Sequence, residues 1–361
     1  MNILVIPHVG GSYNSLRPEA EIYISLAKAG INIIILANPE SPIASYFLEA
    51  GITVIPFKPN RKISISAIKT IRRAIDQHDI QLVYATYSRN ISNAAFACIG
   101  KPVKFIAYRG TTGGLYRSDP TSYLGILHPR IDGVICVSKA VADHVRPKVA
   151  QRIRDRVVAI YKGHKLQWYH KPPAPLEPLG SRSSNFNVIC VANARIHKGL
   201  VYLLRALPQV ADLEDLHVIL VGKDIDRQPY RSLIDNSGMR ERIHLTGYRD
   251  DAPEIIAACD TLVSPSLREG LPRVLLEALA YKVPVITADN PGSLEIINDT
   301  INGFVVPREN ADAIAEKIRE LHDHPAIREK FAEHAHDKLL NEMSHEKTVT
   351  NMIRYFQAVL D

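Results

Sequence analysis

Two glutamates in the last third of the chain have a spacing that suits the binding of hydroxyl groups. Glu269 lies in the turn-like stretch Arg-Glu-Gly-Leu-Pro, and Glu277 follows after seven intervening residues, inside an apolar, helix-like run. Pro272 is suited to the first position of this helix, which puts Glu269 at the helix mouth and Glu277 inside it. Eight helical residues span about 12 Å. Because a carboxylate accepts hydrogen bonds from two hydroxyls, we predict that both glutamates face one polyhydroxylated ligand.

A basic pair, Arg195 and Lys198, stands at the start of another predicted helix, directly after the strand-like run Asn-Val-Ile-Cys-Val-Ala. The planar fork of Arg, the compact charge of Lys and the N–H groups of a helix start all suit a diphosphate. Taken alone, the pair is equally explained as a solvated basic turn, and Glu277 as a member of a salt bridge at a domain edge. Together with Glu269, the four groups favour a nucleotide sugar, whose sugar and ribose hydroxyls lie about as far apart as the two glutamates.

Strand-like and helix-like runs alternate along the chain, which is the pattern of parallel sheets covered by helices. A stretch rich in Pro, Gly and Ser interrupts this alternation, which then restarts. We predict an α/β fold of two Rossmann-like, doubly wound domains facing a central cleft, with ligands bound beyond the carboxyl ends of the strands. The predicted segments are a first domain over 1–170, a linker over 171–186, a second domain over 187–340, and a C-terminal helix over 341–361.

The charge is distributed unevenly along the 361 residues, whose net charge is +6. Residues 1–170 contain 22 Lys+Arg and 10 Asp+Glu, whereas the remainder contains 22 and 28. We therefore expect the first half to bind an anionic partner, which could be an acceptor with phosphates, a membrane surface or nucleic acid. The sequence shows no signal peptide, no apolar run of about 20 residues and no paired cysteine spacing, so we expect a cytoplasmic protein.

One basic stretch, 57–78, combines a row of isoleucines with a row of cations. We expect the isoleucines to face the core of the domain and the cations to face an anionic bilayer, where a basic amphipathic helix can lie. The cations are Lys58, Arg61, Lys62, Lys69, Arg72 and Arg73.

The stretch 264–307 resembles the donor-site signature of the retaining family 4 glycosyltransferases, also called glycosyltransferase group 1, which have the GT-B fold. The signature consists of two glutamates separated by seven residues, a Pro-Val strand, a Gly-containing loop with Glu, and an Asn-Gly-Phe-Val strand. The stretches 191–207 and 242–260 resemble the family segments that precede it. The resemblance covers most of the chain and is strongest over 187–307. It implies that the domain over 1–170 binds the acceptor, that the domain over 187–340 binds the nucleotide sugar, and that the C-terminal helix over 341–361 returns to the first domain.

The resemblance implies roles for the residues of the site. Arg195 and Lys198 would hold the diphosphate and stabilise its charge as it leaves, and with Glu269 they would form the catalytic set. Glu269 would bind the sugar hydroxyls of the donor, and Glu277 the ribose. The other implied donor contacts are the N–H groups of Gly270 and Leu271 near the sugar and phosphate, Tyr248 and Arg249 beside the base, and Gly10 and Gly11 from the first domain.

The acceptor side departs from the family pattern. A loop in which the family often carries His reads Tyr-Arg-Gly-Thr-Thr-Gly-Gly here, and Arg109, Thr111 and Thr112 lie in it. Arg109 could hold an anionic acceptor or the donor phosphates, and a flexible Gly-Thr loop is the alternative interpretation. The segment 161–165, Tyr-Lys-Gly-His-Lys, stands where the family has Asn-Gly-x-Asp.

The resemblance implies a retaining hexosyltransferase that moves a hexose or N-acetylhexosamine from a nucleotide-diphosphate sugar to a glycan or lipid-linked acceptor. Lipopolysaccharide, capsule or another bacterial surface polysaccharide would be the product. We expect no metal, no cofactor (the nucleotide sugar is a substrate), no nucleic-acid partner, and a cytoplasmic enzyme peripheral to the inner leaflet of the plasma membrane. UDP, GDP and ADP remain open as donor nucleotides. A nucleotide-sugar 2-epimerase of the same fold is the alternative enzyme, and a basic nucleic-acid-binding protein is the alternative outside enzymes.

Overall fold

The computed structural model describes residues 1–11, 13–59 and 61–361. Contacts divide the chain into two compact units, one made of Met1–Gly163 with Met343–Asp361 and the other of His164–Glu342. Each unit contains one parallel sheet with helices, so the predicted fold class, α/β with two Rossmann-like domains, is confirmed. In the part of the chain that is described, no helix has both the length and the apolar character that a membrane crossing requires.

The first unit consists of short strands that alternate with helices. Two of its strands, β4 (Leu82–Ala85) and β6 (Gly133–Cys136), are buried throughout, as expected for strands covered on both faces. Up to Gly163, its elements are β1 (Asn2–Ile6), α1 (Tyr13–Lys28), β2 (Asn32–Ala37), α2 (Ala44–Glu49), β3 (Thr53–Pro56), α3 (Ile65–Gln77), β4 (Leu82–Ala85), α4 (Ser88–Ala97), β5 (Lys104–Arg109), β6 (Gly133–Cys136), α5 (Lys139–Val145) and β7 (Val157–Ala159).

The second unit repeats this construction with six strands. Its strand β8 begins where the sequence predicts the alternation to restart. Its elements are β8 (Phe186–Val191), α6 (Leu200–Ala206), β9 (Leu216–Val221), α7 (Tyr230–Asp235), β10 (Ile243–Gly247), α8 (Ala252–Ala257), β11 (Thr261–Ser264), α9 (Arg273–Ala280), β12 (Val285–Ala288), α10 (Pro291–Leu294), β13 (Phe304–Val306), α11 (Ala311–Asp323) and α12 (Pro325–Asn341). The chain then ends in α13 (His345–Leu360), whose contacts belong to the first unit.

The strand orders are β3-β2-β1-β4-β5-β6-β7 in the first sheet and β10-β9-β8-β11-β12-β13 in the second. In each sheet the chain starts in the middle, builds outward in one direction, and then returns to build outward in the other. The direction changes between β1 and β4 in the first unit and between β8 and β11 in the second. At such a switch point the loops leave the sheet in opposite directions and open a crevice beyond the carboxyl ends of the two strands.

The proline-rich segment over 171–185 packs within the second unit. The Ala174 N–H donates to the carbonyl of Glu254 at 2.9 Å, and Leu176 is buried. Short side chains cap five helix starts: Ser64 for α3, Ser138 for α5, Asn290 for α10, Asn310 for α11 and Ser344 for α13. Each accepts a hydrogen bond from an N–H of the first turn that has no partner within the helix.

Candidate active site

The switch point of the second unit brings together two loops that are far apart in the sequence. The loop after β8 carries Lys198, and the loop after β11 carries Glu269. The Lys198 Nζ lies 2.6 Å from Glu269 Oε1, and the Ser266 hydroxyl lies 3.1 Å from the same oxygen. The side chains of Lys198 and Glu269 are 28% and 16% exposed, so the pair is shielded yet accessible to a ligand.

A glycine allows these two loops to touch. Gly199 has φ +65°, a left-handed conformation that glycine adopts without steric cost. A Cβ at this position would lie 2.0 Å from the carbonyl oxygen of Pro265. Beside it, the Leu267 N–H donates to the carbonyl of His197 at 2.9 Å. The close backbone approach therefore determines where Lys198 meets Glu269.

A second support holds the Glu269 loop from the side of α10. A Cβ on Gly292 would lie 2.6 Å from the carbonyl oxygen of Glu269, so the start of α10 rests directly on the loop. The fully buried Asn290 donates from its amide to the Ser266 carbonyl at 2.9 Å. Sequence reasoning did not select either residue, although the glycine of this loop is part of the family signature.

The backbone of the same loop offers donors to a ligand. The N–H groups of Gly270 and Leu271 make no hydrogen bond with any residue that the structure describes. They precede α9, whose first-turn N–H groups also lack a side-chain cap. A lysine ammonium, a carboxylate and unpaired backbone N–H groups thus stand at one switch point, where they can bind hydroxyls and an anionic group together.

Glu277 has a different environment from Glu269. It is 4% exposed and its Oε1 lies 2.8 Å from the Nε of Arg273, one helical turn away. Burial raises the pKa of Glu277, Arg273 lowers it and the nearby carboxylate of Glu254 raises it further. The salt bridge considered as the alternative explanation for Glu277 is therefore present, and the structure does not pair this residue with Lys198 or Glu269.

Sequence reasoning did not select Glu254 on α8, which shares the surroundings of Glu277. One of its carboxylate oxygens, Oε1, lies 3.3 Å from Lys171 Nζ, whereas the other is buried without a hydrogen-bond partner. Burial, with the charges of Glu254 and Glu277, raises the pKa of Tyr281 to about 12. Two carboxylates close to one another form a second polar cluster on the α8–α9 side of the unit.

The remaining predicted donor residues of this unit differ in availability. Arg195 is exposed, and its guanidinium has no ion pair or hydrogen bond among the described residues. The guanidinium of Arg249 donates two hydrogen bonds, of 2.8 and 2.6 Å, to the carboxylate of Asp251. The predicted contact of Arg249 with the base would therefore have to form beside this ion pair. Tyr248 is half exposed, and the Lys223 ammonium lies over its ring in a cation–π contact, with Nζ 5.2 Å from the ring centroid. Sequence reasoning did not select Lys223.

The switch point of the first unit opens into a cavity of about 430 Å³. His8 after β1, Tyr87 after β4 and Arg109 at the end of β5 line it, together with Thr111. The Nε of Arg109 donates to the Thr111 carbonyl at 2.9 Å, and another of its nitrogens donates to the carbonyl of Gly113. Arg109 therefore shapes the Gly-Thr loop, which is ordered by these contacts.

The other predicted residues of the first unit do not line this cavity. Thr112 is half-buried in the loop beyond Thr111. Gly10 and Gly11 are exposed in the loop after β1, and a Cβ on Gly10 would lie 3.1 Å from the ring of His8. The glycine therefore lets the loop pass close to a histidine that does line the cavity.

An ion pair that sequence reasoning did not select forms part of the cavity wall. Lys162 Nζ lies 2.5 Å from Glu19 Oε2, while Tyr23 and Thr86 donate to the other carboxylate oxygen at 2.7 and 2.9 Å. Burial alone would raise the pKa of Glu19, but Lys162 and these hydrogen bonds bring the pKa below its usual value. Lys162 occupies the segment that replaces the Asn-Gly-x-Asp of the family, which is the signal that could have identified it.

Metal-ligand groups are absent from the described part of the chain, where no three His, Cys, Asp or Glu side chains come together suitably. The four cysteines are free and buried, as their scattered positions predict.

Two family models match consecutive parts of the chain. The model "Glycosyltransferase Family 4" matches residues 20–168, and "Glycosyl transferases group 1" matches residues 176–338. The two matches correspond closely to the two structural units.

Curated relatives include EpsD of Bacillus subtilis, named as a glycosyltransferase, which is 27% identical over 61% of this chain and 59% of its own length. The lipopolysaccharide core biosynthesis glycosyltransferase LpsE of Rhizobium meliloti is 30% identical over 41% of this chain and 43% of its own length. The chain thus aligns with less than two thirds of either relative.

Solved structures match over the full length. A glycosyltransferase from Rickettsia africae has a TM-score of 0.83 at 22% identity and covers 100% of this chain and 98% of its own. HepE of Anabaena in complex with UDP has a TM-score of 0.81 at 18% identity and covers 99% and 100%. At these identities the similarity concerns the fold. The two family models, which together match most of the chain, show that it belongs to the family 4 glycosyltransferases of group 1.

Proposed function

We propose that the chain transfers a hexose or N-acetylhexosamine from a nucleotide-diphosphate sugar to a glycan or lipid-linked acceptor, with retention of the anomeric configuration. The observation that carries the proposal is the Lys198–Glu269 pair at the switch point of the second unit, beside the N–H groups of Gly270 and Leu271, which bond to none of the described residues. HepE, which shares the fold, binds UDP, and LpsE acts in lipopolysaccharide core synthesis. These relatives support a nucleotide-sugar donor and a bacterial surface polysaccharide as the product.

The proposed chemistry depends on the charge of the leaving group. When the bond between the sugar and the diphosphate breaks, negative charge grows on the diphosphate while the sugar becomes oxocarbenium-like. Lys198 and the exposed Arg195 would stabilise this charge, and the N–H groups at the start of α9 would add to the field. Because these cations provide the stabilisation, the proposed reaction does not require a metal ion.

Glu269 would orient the donor sugar rather than attack it. Its carboxylate already accepts hydrogen bonds from Lys198 and Ser266, and sugar hydroxyls would take the remaining acceptor positions. Glu277 would bind the ribose if its contact with Arg273 opens or is shared. No carboxylate is assigned as a nucleophile. The acceptor hydroxyl would enter on the face from which the diphosphate leaves, and its proton would pass to the departing phosphate oxygen as the new glycosidic bond forms.

A thermal-shift screen of the whole chain tests the proposal. UDP, GDP, ADP and the corresponding sugar nucleotides are added in turn, because a ligand that binds only the native state raises the melting temperature. We expect one nucleotide series to stabilise the protein in the wild type and much less in Lys198→Ala. The stabilising sugar nucleotide is then incubated with and without glycan acceptors. Epimerised sugar nucleotide formed without acceptor would identify the alternative enzyme, and no stabilisation by any nucleotide would contradict the proposal.

We also propose that an anionic membrane surface attracts the basic side of α3. Ile71 and Ile75 are buried beside Ala67, so this part of the isoleucine row packs into the core as predicted, whereas the prediction is wrong for Ile63 and Ile65. The opposite side carries the exposed cations Lys69 and Arg73. Ile63 and Ile65, just before and at the start of α3, are exposed by 40% and 74% and provide an apolar edge next to the cations. A surface that combines exposed cations with apolar side chains suits the interface of an anionic bilayer.

A further inference from the structure

The cavity of the first unit has an excess of positive charge. Its charged lining residues, together with His8, are Lys62, Arg109, Lys162 and Glu19. Glu19 is the single carboxylate among the described residues that line it. The oxygens of Glu19 already accept from Lys162, Tyr23 and Thr86, so this carboxylate has little capacity left for another cation. Among the described residues, the charge of Arg109 is therefore not balanced within the cavity, and that of Lys62 is balanced only by the carboxylate of Asp119, which lies outside the lining.

Arg109 has the least compensated charge of the cavity lining. Its guanidinium is half-buried and donates to two backbone carbonyls of the adjacent loop, and the described residues provide no carboxylate as an ion-pair partner. Burial lowers the pKa of Arg109, and the nearby ammonium of Lys148 is positively charged as well. Because a buried charge without a counter-ion is costly, a protein that keeps one in a cavity wall gains most when an anion binds there.

Two further features of the cavity suit an anion. Helix α4, ten residues long, begins at Ser88 in the cavity wall, and no side chain caps its first turn. Its N-cap residue, Tyr87, has φ +68°. This backbone conformation is unfavourable for a residue with a Cβ, and such conformations cluster at functional sites. Lys62 on another wall uses one of its donors on the Thr121 carbonyl at 3.2 Å and keeps the others. Donors from separate elements therefore converge on one space.

We propose that this cavity binds a phosphate group carried by the acceptor, with Arg109 as the main ligand and Lys62 and the start of α4 as further donors. The identification of the ligand as the acceptor rests on the proposed glycosyl transfer, whereas the anion site itself does not. A tetrahedral phosphate has enough oxygens to accept from all three sources, and Arg binds it through two parallel hydrogen bonds. A volume of about 430 Å³ lies in the range of small-molecule sites, so a sugar or glycerol attached to the phosphate also fits.

Calorimetric titration of the full chain with sn-glycerol 1-phosphate tests the site, with glycerol and glucuronate as the neutral and carboxylate probes. We expect glycerol phosphate to bind, glycerol not to bind, and Arg109→Gln to weaken the binding at least tenfold because a charge-assisted hydrogen bond is lost. Arg146→Gln is the matched control in the same unit, since Arg146 has its own partner, Asp143, at 2.8 Å and lies outside the cavity lining. It should change the affinity less than twofold.

The variants also separate this site from the donor site. Arg109→Gln should keep the thermal shift that nucleotides produce, and Lys198→Ala should keep the affinity for glycerol phosphate. Because Arg109 also orders its loop, Lys62→Gln serves as a second cavity variant and should weaken the binding several-fold. Unchanged affinity in both cavity variants, equal binding of glycerol or glucuronate, or loss of glycerol phosphate binding in Lys198→Ala would overturn the inference.

A vesicle arm identifies the source of the phosphate. Flotation with phosphatidylcholine vesicles that contain phosphatidic acid is repeated with increasing glycerol phosphate. Recovery that depends on Arg109 and is competed by glycerol phosphate indicates a lipid headgroup, whereas titration binding without such recovery indicates a soluble phosphorylated acceptor. Nucleotide binding without glycerol phosphate binding would overturn this inference alone. Glycerol phosphate binding without any nucleotide response would support the anion site and contradict the proposed glycosyl transfer.

Discussion

Two charged pairs of similar geometry have different consequences at the residue scale. The two pairs are similarly exposed: the side chains are 28% and 16% exposed in Lys198–Glu269 and 24% and 12% exposed in Lys162–Glu19. They differ in their other hydrogen bonds, because Glu269 accepts one more, from Ser266, whereas Glu19 accepts two more, from Tyr23 and Thr86. Glu269 therefore keeps more acceptor capacity for a ligand, and removal of one member of the Lys162–Glu19 pair leaves a half-buried charge in the cavity wall.

Lys198→Ala should lower the rate of sugar transfer by about 10²–10³-fold, the loss seen when a donor to a developing anion is removed. Arg195→Ala should have an effect of similar size. The initial rate with saturating donor and acceptor measures both, and Lys330→Ala, an exposed lysine of α12, is the control. A loss of less than tenfold in both variants would speak against the assignment of the diphosphate to these cations.

Glu19→Gln should destabilise the first unit by about 1–3 kcal/mol, because it leaves the half-buried ammonium of Lys162 without its counter-ion. The double variant Glu19→Gln with Lys162→Met should recover much of this loss. Urea unfolding gives the free energies, and Glu40→Gln, which breaks an exposed pair with Lys58, should have little effect. A loss in Glu19→Gln no larger than in Glu40→Gln would show that the Lys162–Glu19 pair does not stabilise the first unit.

The same pair makes the stability depend on pH in a defined direction. The pKa of Glu19 is lower in the folded chain than its usual value near 4.5, so the pair's contribution is complete above that value and is lost as the pH falls through the folded pKa. The pKa of Lys162 is raised, so its contribution is complete below its usual value near 10.5 and is lost only at higher pH. Between these limits the pair should not change stability with pH.

At the scale of elements, the close contact of two loops at Gly199 positions the site. Gly199→Ala should cost about 2–5 kcal/mol, because it adds the strain of a left-handed alanine to a clash with the Pro265 carbonyl. Gly30→Ala is the matched control: Gly30 also has a left-handed φ, +85°, but a Cβ there meets nothing within 4 Å. It should cost about 1–2 kcal/mol.

Activity provides a second measure of the Gly199 contact. A displaced Lys198 should reduce the rate of transfer in Gly199→Ala even at a temperature at which the variant is fully folded. Gly30→Ala should then transfer sugar at the wild-type rate. If the two glycine variants have the same stability and the same rate, the approach of the two loops does not determine the geometry of the site.

The elements were largely predictable from the sequence, but their order in the sheet was not. The apolar runs of β1, β8 and β11 and the polar residues that follow them are visible in the sequence, because hydrophobic patterning is local. Glu19 and Asn290 escaped notice because each lies within an ordinary-looking segment, on a helix or at its start. Their importance comes from partners that lie 143 and 24 positions away.

At the scale of the whole molecule, the uneven charge suggests a role for the basic half. Substitution of Lys58, Lys69 and Arg73 by Gln should lower the partition onto vesicles with anionic lipid by tenfold or more, since each basic residue near such a surface contributes about 1 kcal/mol. Flotation at two salt concentrations measures the partition, and the effect should decrease at high salt.

A triple variant of the acidic half is the control for this experiment. Arg227, Arg240 and Lys330 are exposed cations of the second unit, and their substitution by Gln removes the same charge. It should leave the partition nearly unchanged. Equal recovery of the wild type on neutral and anionic vesicles would contradict the proposed electrostatic attraction to the membrane.

The sequence by itself determined the α/β class and the two sheets, and it was sufficient to select Glu269, Lys198 and Arg109 as candidate site residues. Patterning, spacing and family signatures are properties of the linear chain. Only the tertiary structure decided which of these groups meet. It pairs Lys198 with Glu269, ties Arg249 to Asp251, and leaves Arg109 without a counter-ion in a cavity wall. The physical reason is that ion pairing and burial depend on distances in space, which arise where the strand order reverses and distant loops come into contact.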